Sequence, residues 1–278
     1  MSGSIMNSDA VMAFNFLVNP MAKAYAGDVA AFVVGRSAWF GHKRDPVRSL
    51  AAHEAGHAIV MPMCGYVPKE VRIDCGGERW EWAGYCDNGW RDSGFSGERL
   101  MDSLPVVLGF LVPALAGTVA DILDRERASD GPDERGRVLG ACLLGAHEIG
   151  LSVYLCHYIE MQFGLSAVTA LRATVALCAS AVADHEPQYA DLVGTLVSQR
   201  HIGQDTLASL LNPLFKDDLA ERWLAHVQQP QATFMELERF VVFGGFLARA
   251  AGEAYGTPRA EFAHSPSAID DQQSEPQS

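Results

Sequence analysis

The sequence predicts a mainly helical protein of the α+β class, in which a small β-hairpin or sheet lies beside a long run of helices. Three observations support this prediction. From Glu98 onward, almost every segment has the length and apolar content of a helix and is bounded by prolines or glycines. A helix-start signal stands at Asp45-Pro46. Between residues 71 and 86, two short segments alternate apolar and polar residues.

The first part of the chain is predicted to be helical. Residues 1–44 have the pattern of two short apolar helices, which form an N-terminal helical extension. Asp45 is a typical N-cap, and Pro46 suits the first helical position because it has no amide hydrogen to leave unpaired. The helix that begins there should end near Met61, before Gly65.

Two strands follow this helix. Val71 and Ile73 alternate with charged residues and predict the first strand. The Gly76-Gly77 pair is typical of a turn, and Arg79–Cys86 predicts the second strand, because aromatic and polar residues alternate along it. The Gly-, Asp- and Ser-rich residues 87–97 are predicted to form a loop.

The remaining chain divides by composition. Residues 213–263 should form a C-terminal helical extension. Residues 264–278 are polar and rich in Pro, Ser and Gln, so this tail is predicted to be disordered.

Composition excludes several classes of protein. The 278 residues carry a net charge of −13, which argues against a nucleic-acid partner because phosphate binding needs clustered Lys and Arg. The six cysteines include no CxxC pair and are expected to be reduced, which indicates a cytoplasmic protein.

The apolar segment Pro105–Leu123 is expected to be a buried helix kinked at Pro113, because it contains Asp121 and two prolines. A membrane-associated protein is the alternative.

The segment His53-Glu54-Ala55-Gly56-His57 is an HExxH motif. On a helix, residues four apart lie on the same face, so two imidazoles can bind one Zn²⁺ ion. Glu54, next to the first histidine, can reach a zinc-bound water and act as its general base. The motif therefore predicts a zinc site with His53 and His57 as ligands and Glu54 as the catalytic residue.

The segment Ala51–Val60 (AAHEAGHAIV) closely resembles the peptidase domain of the FtsH-type ATP-dependent zinc metalloproteases. Weaker similarity extends over residues 67–74, 115–123, 129–138 and 196–211. The resemblance implies a helical, zincin-like metallopeptidase domain over residues 45–212. It also implies a zinc metalloendopeptidase that hydrolyses peptide bonds.

The third zinc ligand is implied by the resemblance alone. Pro132-Asp133-Glu134 stands where the family has its ligand aspartate, so Asp133 is the candidate and Asp130 is the competing one. Both aspartates also have an ordinary interpretation, as a helix cap or a first-turn acid. His147-Glu148 resembles the start of a second HExxH, but Leu151 replaces the second histidine, and these residues are predicted to lie on a helix surface.

The resemblance does not extend to the ATPase module of the family, because no ATP-binding loop of the GxxxxGK[ST] type occurs in the chain. The expected substrates are therefore peptides or unfolded protein, cut without ATP. A separate ATPase or a homo-oligomer would be the partner. The strand around Arg79–Trp82 either binds substrate along its edge or covers the core. The alternative function is a catalytically inactive zinc-binding module that regulates or binds another protein.

Overall fold

The computed structural model describes residues 20–38, 45–65, 67–76, 81–86, 103–128, 133–214, 218–229 and 233–255. It is mainly helical with one small antiparallel sheet, which confirms the predicted fold class. The predicted tail at 264–278 and most of the N-terminal extension lie outside the described residues.

The described residues form ten helices and three strands, apart from two short 3-10 turns. The helices are α1 Pro20–Ser37, α2 Pro46–Val60, α3 Leu104–Arg127, α4 Glu134–Leu144, α5 Ala146–Phe163, α6 Ala167–Asp184, α7 Glu186–Gln199, α8 Gln204–Leu211, α9 Leu219–Val227 and α10 Met235–Tyr255. The strands are β1 Glu70–Gly76, β2 Glu81–Cys86 and β3 His201–Gly203.

Helix α2 begins and ends as the sequence predicts. The Asp45 side chain accepts a hydrogen bond from the amide of Val47 at 3.0 Å, and Pro46 occupies the first helical position. After Val60, a 3-10 turn leads to Gly65, whose φ of 90° is a left-handed conformation that favours glycine. Every residue from Ser49 to Val60 is buried, so α2 is a central helix surrounded by protein.

Helix α3 lies against α2 at very short range. A Cβ atom added to Gly56 would lie 2.4 Å from the Cβ of Ala120 and 2.7 Å from the carbonyl oxygen of Ala116. Small residues on both helices therefore permit a backbone approach that a larger side chain would prevent. Helix α3 contains Pro113 and is buried along most of its length, with α4, α5, α6 and α9 packed around it.

Charged side chains hold the two helices together where α2 begins and α3 ends. Arg125 donates to Asp121 at 3.0 Å and to the Ser49 hydroxyl at 2.8 Å, and all three residues are buried. Arg48 forms a two-point contact with Asp124, at 3.1 and 2.9 Å. Buried charges are tolerated because each is paired and hydrogen-bonded. The contacts of Arg125 with Ser49 and of Arg48 with Asp124 join the two helices and fix the register of α2 on α3.

The sheet has the strand order β2-β1-β3 and is antiparallel throughout. Val71 is opposite Cys86 in β2 and Ile202 in β3, and all three side chains are buried. The observed β2 begins at Glu81. Strand β3 was not predicted, because a strand of three residues has too little pattern to recognise. Among the described residues, β2 forms one edge of the sheet and packs on α2.

Two helices are long and apolar enough to cross a membrane, namely α3 and α6. The count rises to three if α4 and α5, which meet at 97°, are taken as one broken span. In this fold, 78% of the apolar window of α3 and 61% of that of α6 are buried inside the protein. The apolar residues of α3 therefore form protein core here, and the location of the protein in the cell stays a prediction.

We predict that Gly56→Ala destabilises the protein by about 1–3 kcal/mol, because the new methyl group would be forced into α3. The matched control is Gly109→Ala, also inside a helix, where an added Cβ would meet nothing within 4 Å. The control should be neutral or stabilising by up to about 1 kcal/mol. Urea unfolding of both variants measures the difference. Equal stability of the two variants would contradict the close approach of α2 and α3.

Candidate metal centre

The two histidines of the HExxH motif lie together on one face of α2, as predicted. Their ring centroids are 4.7 Å apart, and His53 and His57 are only 1% and 7% exposed. Polar side chains this deep in a protein need partners, because an unpaired buried group is costly.

Glu148 provides that partner from a distant part of the chain. Helices α4 and α5 meet in a sharp bend at Gly145, and Glu148 lies in the first turn of α5. One carboxylate oxygen, Oε2, is 2.9 Å from His53 Nε2, and the other, Oε1, is 3.2 Å from His57 Nε2. Glu148 is 7% exposed, so its predicted position on a helix surface is wrong.

His53, His57 and Glu148 form a group that could bind a metal ion. Each residue offers one ligand atom, and these atoms lie within 4.8 Å of one another. Two imidazoles and one carboxylate are a donor set that first-row transition metals, including zinc, accept.

The surroundings of the group suit a metal. His57 Nδ1 lies 2.8 Å from the carbonyl oxygen of Pro113, which can only accept, so Nδ1 carries a proton and Nε2 faces the group. A Cβ added to Gly117 would lie 2.5 Å from His57 Nε2 and 2.6 Å from His53 Nε2. The ligand nitrogens therefore lie against bare backbone of α3, where another residue would intrude.

Glu54 is the second buried carboxylate of the site. It is 1% exposed, and its Oε1 atom has no hydrogen-bond partner in the described structure. Strand β2 lies directly against it, because a Cβ added to Gly84 would lie 2.0 Å from Glu54 Oε1. Burial raises the pKa of Glu54 above its ordinary value, although His57 and His53 act in the opposite direction. Glu54 is thus a poorly solvated base next to both histidines.

The metal-free group behaves as a buried ion pair. Burial lowers the pKa of His57, but the Glu148 carboxylate, Glu54 and the hydrogen bond to Pro113 together outweigh burial and raise the pKa to about 9. Burial raises the pKa of Glu148, but His53 and His57 outweigh it and hold that pKa well below its usual range. A protonated His57 and an ionised Glu148 therefore stabilise each other.

Asp133 has a different role in the structure from the one predicted. It is the N-cap of α4, and its carboxylate accepts a hydrogen bond from the amide of Gly136 at 2.7 Å. Its side chain is exposed and is not part of the group formed by the histidines. In the structure, Glu148 rather than Asp133 lies beside the two histidines. Asp130 lies outside the described residues.

The signal for Glu148 was present in the sequence but was ambiguous. It is one of only two acidic residues in the apolar segment Ala146–Phe163, the other being the exposed Glu160. An acid in a strongly apolar helix indicates a buried partner, yet it does not say which one. His53 and Glu148 are 95 residues apart, so only the folded chain identifies the pair.

The side chains of the predicted substrate edge, Arg79–Trp82, all lie outside the described part of the structure. No known protein family, curated protein or solved structure matches this chain. The resemblance to the FtsH-type peptidases therefore stays a prediction.

We predict that the ion pair of His57 and Glu148 contributes most to the stability of the metal-free protein between about pH 4.5 and 6.5. The pKa of His57 rises from 6.5 to about 9 on folding, so its contribution is complete below pH 6.5 and is lost as the pH rises through 9. The pKa of Glu148 falls on folding, so its contribution is present above pH 4.5 and is lost at lower pH.

Urea unfolding of chelator-treated protein between pH 4 and 9.5 measures this dependence. Glu148→Gln is the matched control, because it removes the carboxylate with little change of shape, and it should flatten the decline above pH 6.5. A wild-type protein that becomes more stable from pH 6 to 9 would contradict the ion pair.

Proposed function

We propose that this protein is a zinc-dependent peptidase. The observation that carries the proposal is the buried carboxylate of Glu54. Its Oε1 atom lacks a hydrogen-bond partner among the described residues, and the residue lies beside a group of two histidines and Glu148. A structural metal site needs ligands only. An additional base beside the ligands is the feature that peptide hydrolysis requires.

Zinc is the metal that fits this proposal best. Two histidines and a glutamate leave one position free in a tetrahedral shell, and this is a common arrangement of catalytic zinc sites. His53 and His57 would bind the ion through Nε2, and Glu148 through its carboxylate. Bound zinc would supply a Lewis acid that polarises a carbonyl group and lowers the pKa of water to about 7.

The chain's own residues would move the protons. Glu54 would accept a proton from the attacking water and later deliver it to the leaving amine, for which its raised pKa is suitable. Pro113 would hold His57 in the tautomer that presents Nε2. The near-complete burial of Glu54 would keep competing water away from the proton that it carries.

Strand β2 is the candidate binding site for an extended peptide. It is an edge strand within the described sheet, and its residue Gly84 touches Glu54. A peptide that paired with this edge would gain main-chain hydrogen bonds close to the catalytic carboxylate. The same arrangement is implied by the resemblance to the FtsH-type peptidases.

The proposed substrates are short peptides and unfolded segments, because an extended conformation is required along β2. A separate ATPase or a second copy of the chain is a proposed partner for folded substrates. We propose a cytoplasmic location. Membrane association is the alternative, because α3 and α6 are long and apolar enough to cross a membrane.

One observation favours a second candidate function. All four polar residues of the site are at most 7% exposed, which is typical of a metal held for structure rather than for catalysis. On this alternative, the protein is an inactive zinc-binding module that regulates or binds another protein. The presence of Glu54 favours the peptidase, because a structural metal site does not need a base beside its ligands.

We predict one zinc ion per chain in the wild type. His57→Ala and Glu148→Gln should each weaken zinc binding by more than about a hundredfold, because each removes a ligand. Asp133→Ser is the matched control, since serine keeps the helix cap but removes the carboxylate, and it should bind zinc normally. Elemental analysis and competition with a chromophoric chelator measure these affinities.

We predict that Glu54→Gln keeps its zinc and loses peptide cleavage by about 10²–10⁴-fold, because the general base is removed. Cleavage of casein and of a peptide library measures this loss. Zinc binding without cleavage by the wild type would favour the regulatory module. A wild type that binds no zinc, or a Glu54→Gln variant that cleaves normally, would contradict the proposal.

A further inference from the structure

Thr118 carries a buried hydroxyl group that the fold does not use. The residue lies inside α3, next to Gly117, and is completely buried. Its Oγ1 atom has no hydrogen-bond partner among the described residues. A buried hydroxyl without a partner costs free energy, so its retention in the core requires an explanation.

Another buried threonine shows the ordinary behaviour. Thr174, in the middle of α6, donates its hydroxyl hydrogen to the carbonyl oxygen of Ala170 at 2.8 Å. The same hydroxyl accepts a hydrogen bond from Trp223 Nε1 at 2.9 Å. Threonine in a helix commonly pairs with the carbonyl four residues earlier, but Thr118 does not.

The Thr118 hydroxyl lies next to Gly145, as do two members of the candidate metal centre. The position of an added Cβ at Gly145 lies 2.3 Å from Thr118 Oγ1, 3.0 Å from Glu148 Oε2 and 3.0 Å from His53 Cε1. The hydroxyl, the carboxylate and the imidazole thus surround one small space, which stays open because residue 145 is glycine.

A metal ion would change the hydrogen bonding of Glu148. In the structure, His53 Nε2 is the partner of Glu148 Oε2 at 2.9 Å. That nitrogen is also the ligand atom that faces the metal site. Once it binds a metal, it carries no proton to donate, and Glu148 Oε2 needs another donor. Ligating carboxylates are generally held by such outer hydrogen bonds.

We infer that Thr118 is a positioning residue, whose hydroxyl donates a hydrogen bond to Glu148 Oε2 when the site holds its metal. The inference rests on the metal site of the proposed function. The hydroxyl has one hydrogen to give, and the neighbouring carboxylate is the acceptor that loses its donor.

The test compares three variants of the full-length protein with the wild type. Thr118→Val removes the hydroxyl and keeps the shape, whereas Thr118→Ser keeps the hydroxyl. Thr174→Val makes the same change at a threonine whose hydroxyl is already paired, and it serves as the matched control. Zinc affinity is measured by chelator competition, and thermal unfolding of the metal-free proteins is measured separately.

We predict that Thr118→Val binds zinc about 10–100-fold more weakly than the wild type, the usual effect of losing an outer hydrogen bond. Its metal-free form should unfold at the same or a higher temperature, because an unpaired polar group has been removed. Thr118→Ser should restore the wild-type affinity. Thr174→Val should show the opposite pattern, with a lower unfolding temperature and wild-type zinc affinity.

Two results would overturn the inference while leaving the proposed metal site intact. One is wild-type zinc affinity in Thr118→Val. The other is a loss of zinc affinity in Thr118→Val that Thr174→Val or Thr118→Ser shows to the same extent, since this would indicate a general packing effect. A wild-type protein that binds no zinc would overturn both the inference and the proposed function.

Discussion

The close approach of α2 and α3 is the constraint on which the candidate metal centre depends. Gly56 permits the contact from one side, and Gly117 lets the histidine nitrogens lie against the α3 backbone. The same crossing brings the carbonyl oxygen of Pro113 to His57 Nδ1. One packing arrangement therefore buries the ligands, orients an imidazole and leaves room for an ion. A larger side chain at either glycine would alter all three.

Charge balance explains why such a polar group can lie in a dry core. Without metal, a protonated His57 compensates Glu148, but Glu54 is left without a hydrogen-bond partner at Oε1. Buried ions are stable only when they are paired, so the metal-free arrangement is incompletely satisfied. A divalent cation would balance both carboxylates at once and replace the proton of His57. Metal binding and proton release are therefore expected to be coupled.

Local signals in the sequence predicted the parts of the site that depend on neighbouring residues. Asp45 and Pro46 predicted the start of α2, and the HExxH spacing predicted that His53 and His57 share a face. The third member of the group was not predicted, because Glu148 reaches the histidines only through the bend at Gly145. The family resemblance implied Asp133 instead, and a local sequence does not distinguish a ligating aspartate from the helix cap that Asp133 forms.

Crystallography of the zinc-loaded protein, with anomalous diffraction recorded at the zinc edge, tests the proposed metal centre most directly. We predict one strong anomalous peak, about 2.0–2.2 Å from His53 Nε2, His57 Nε2 and a Glu148 carboxylate oxygen. A zinc ion bound to the two histidines and Asp133, or to cysteine sulfur, would contradict Glu148 as the third ligand.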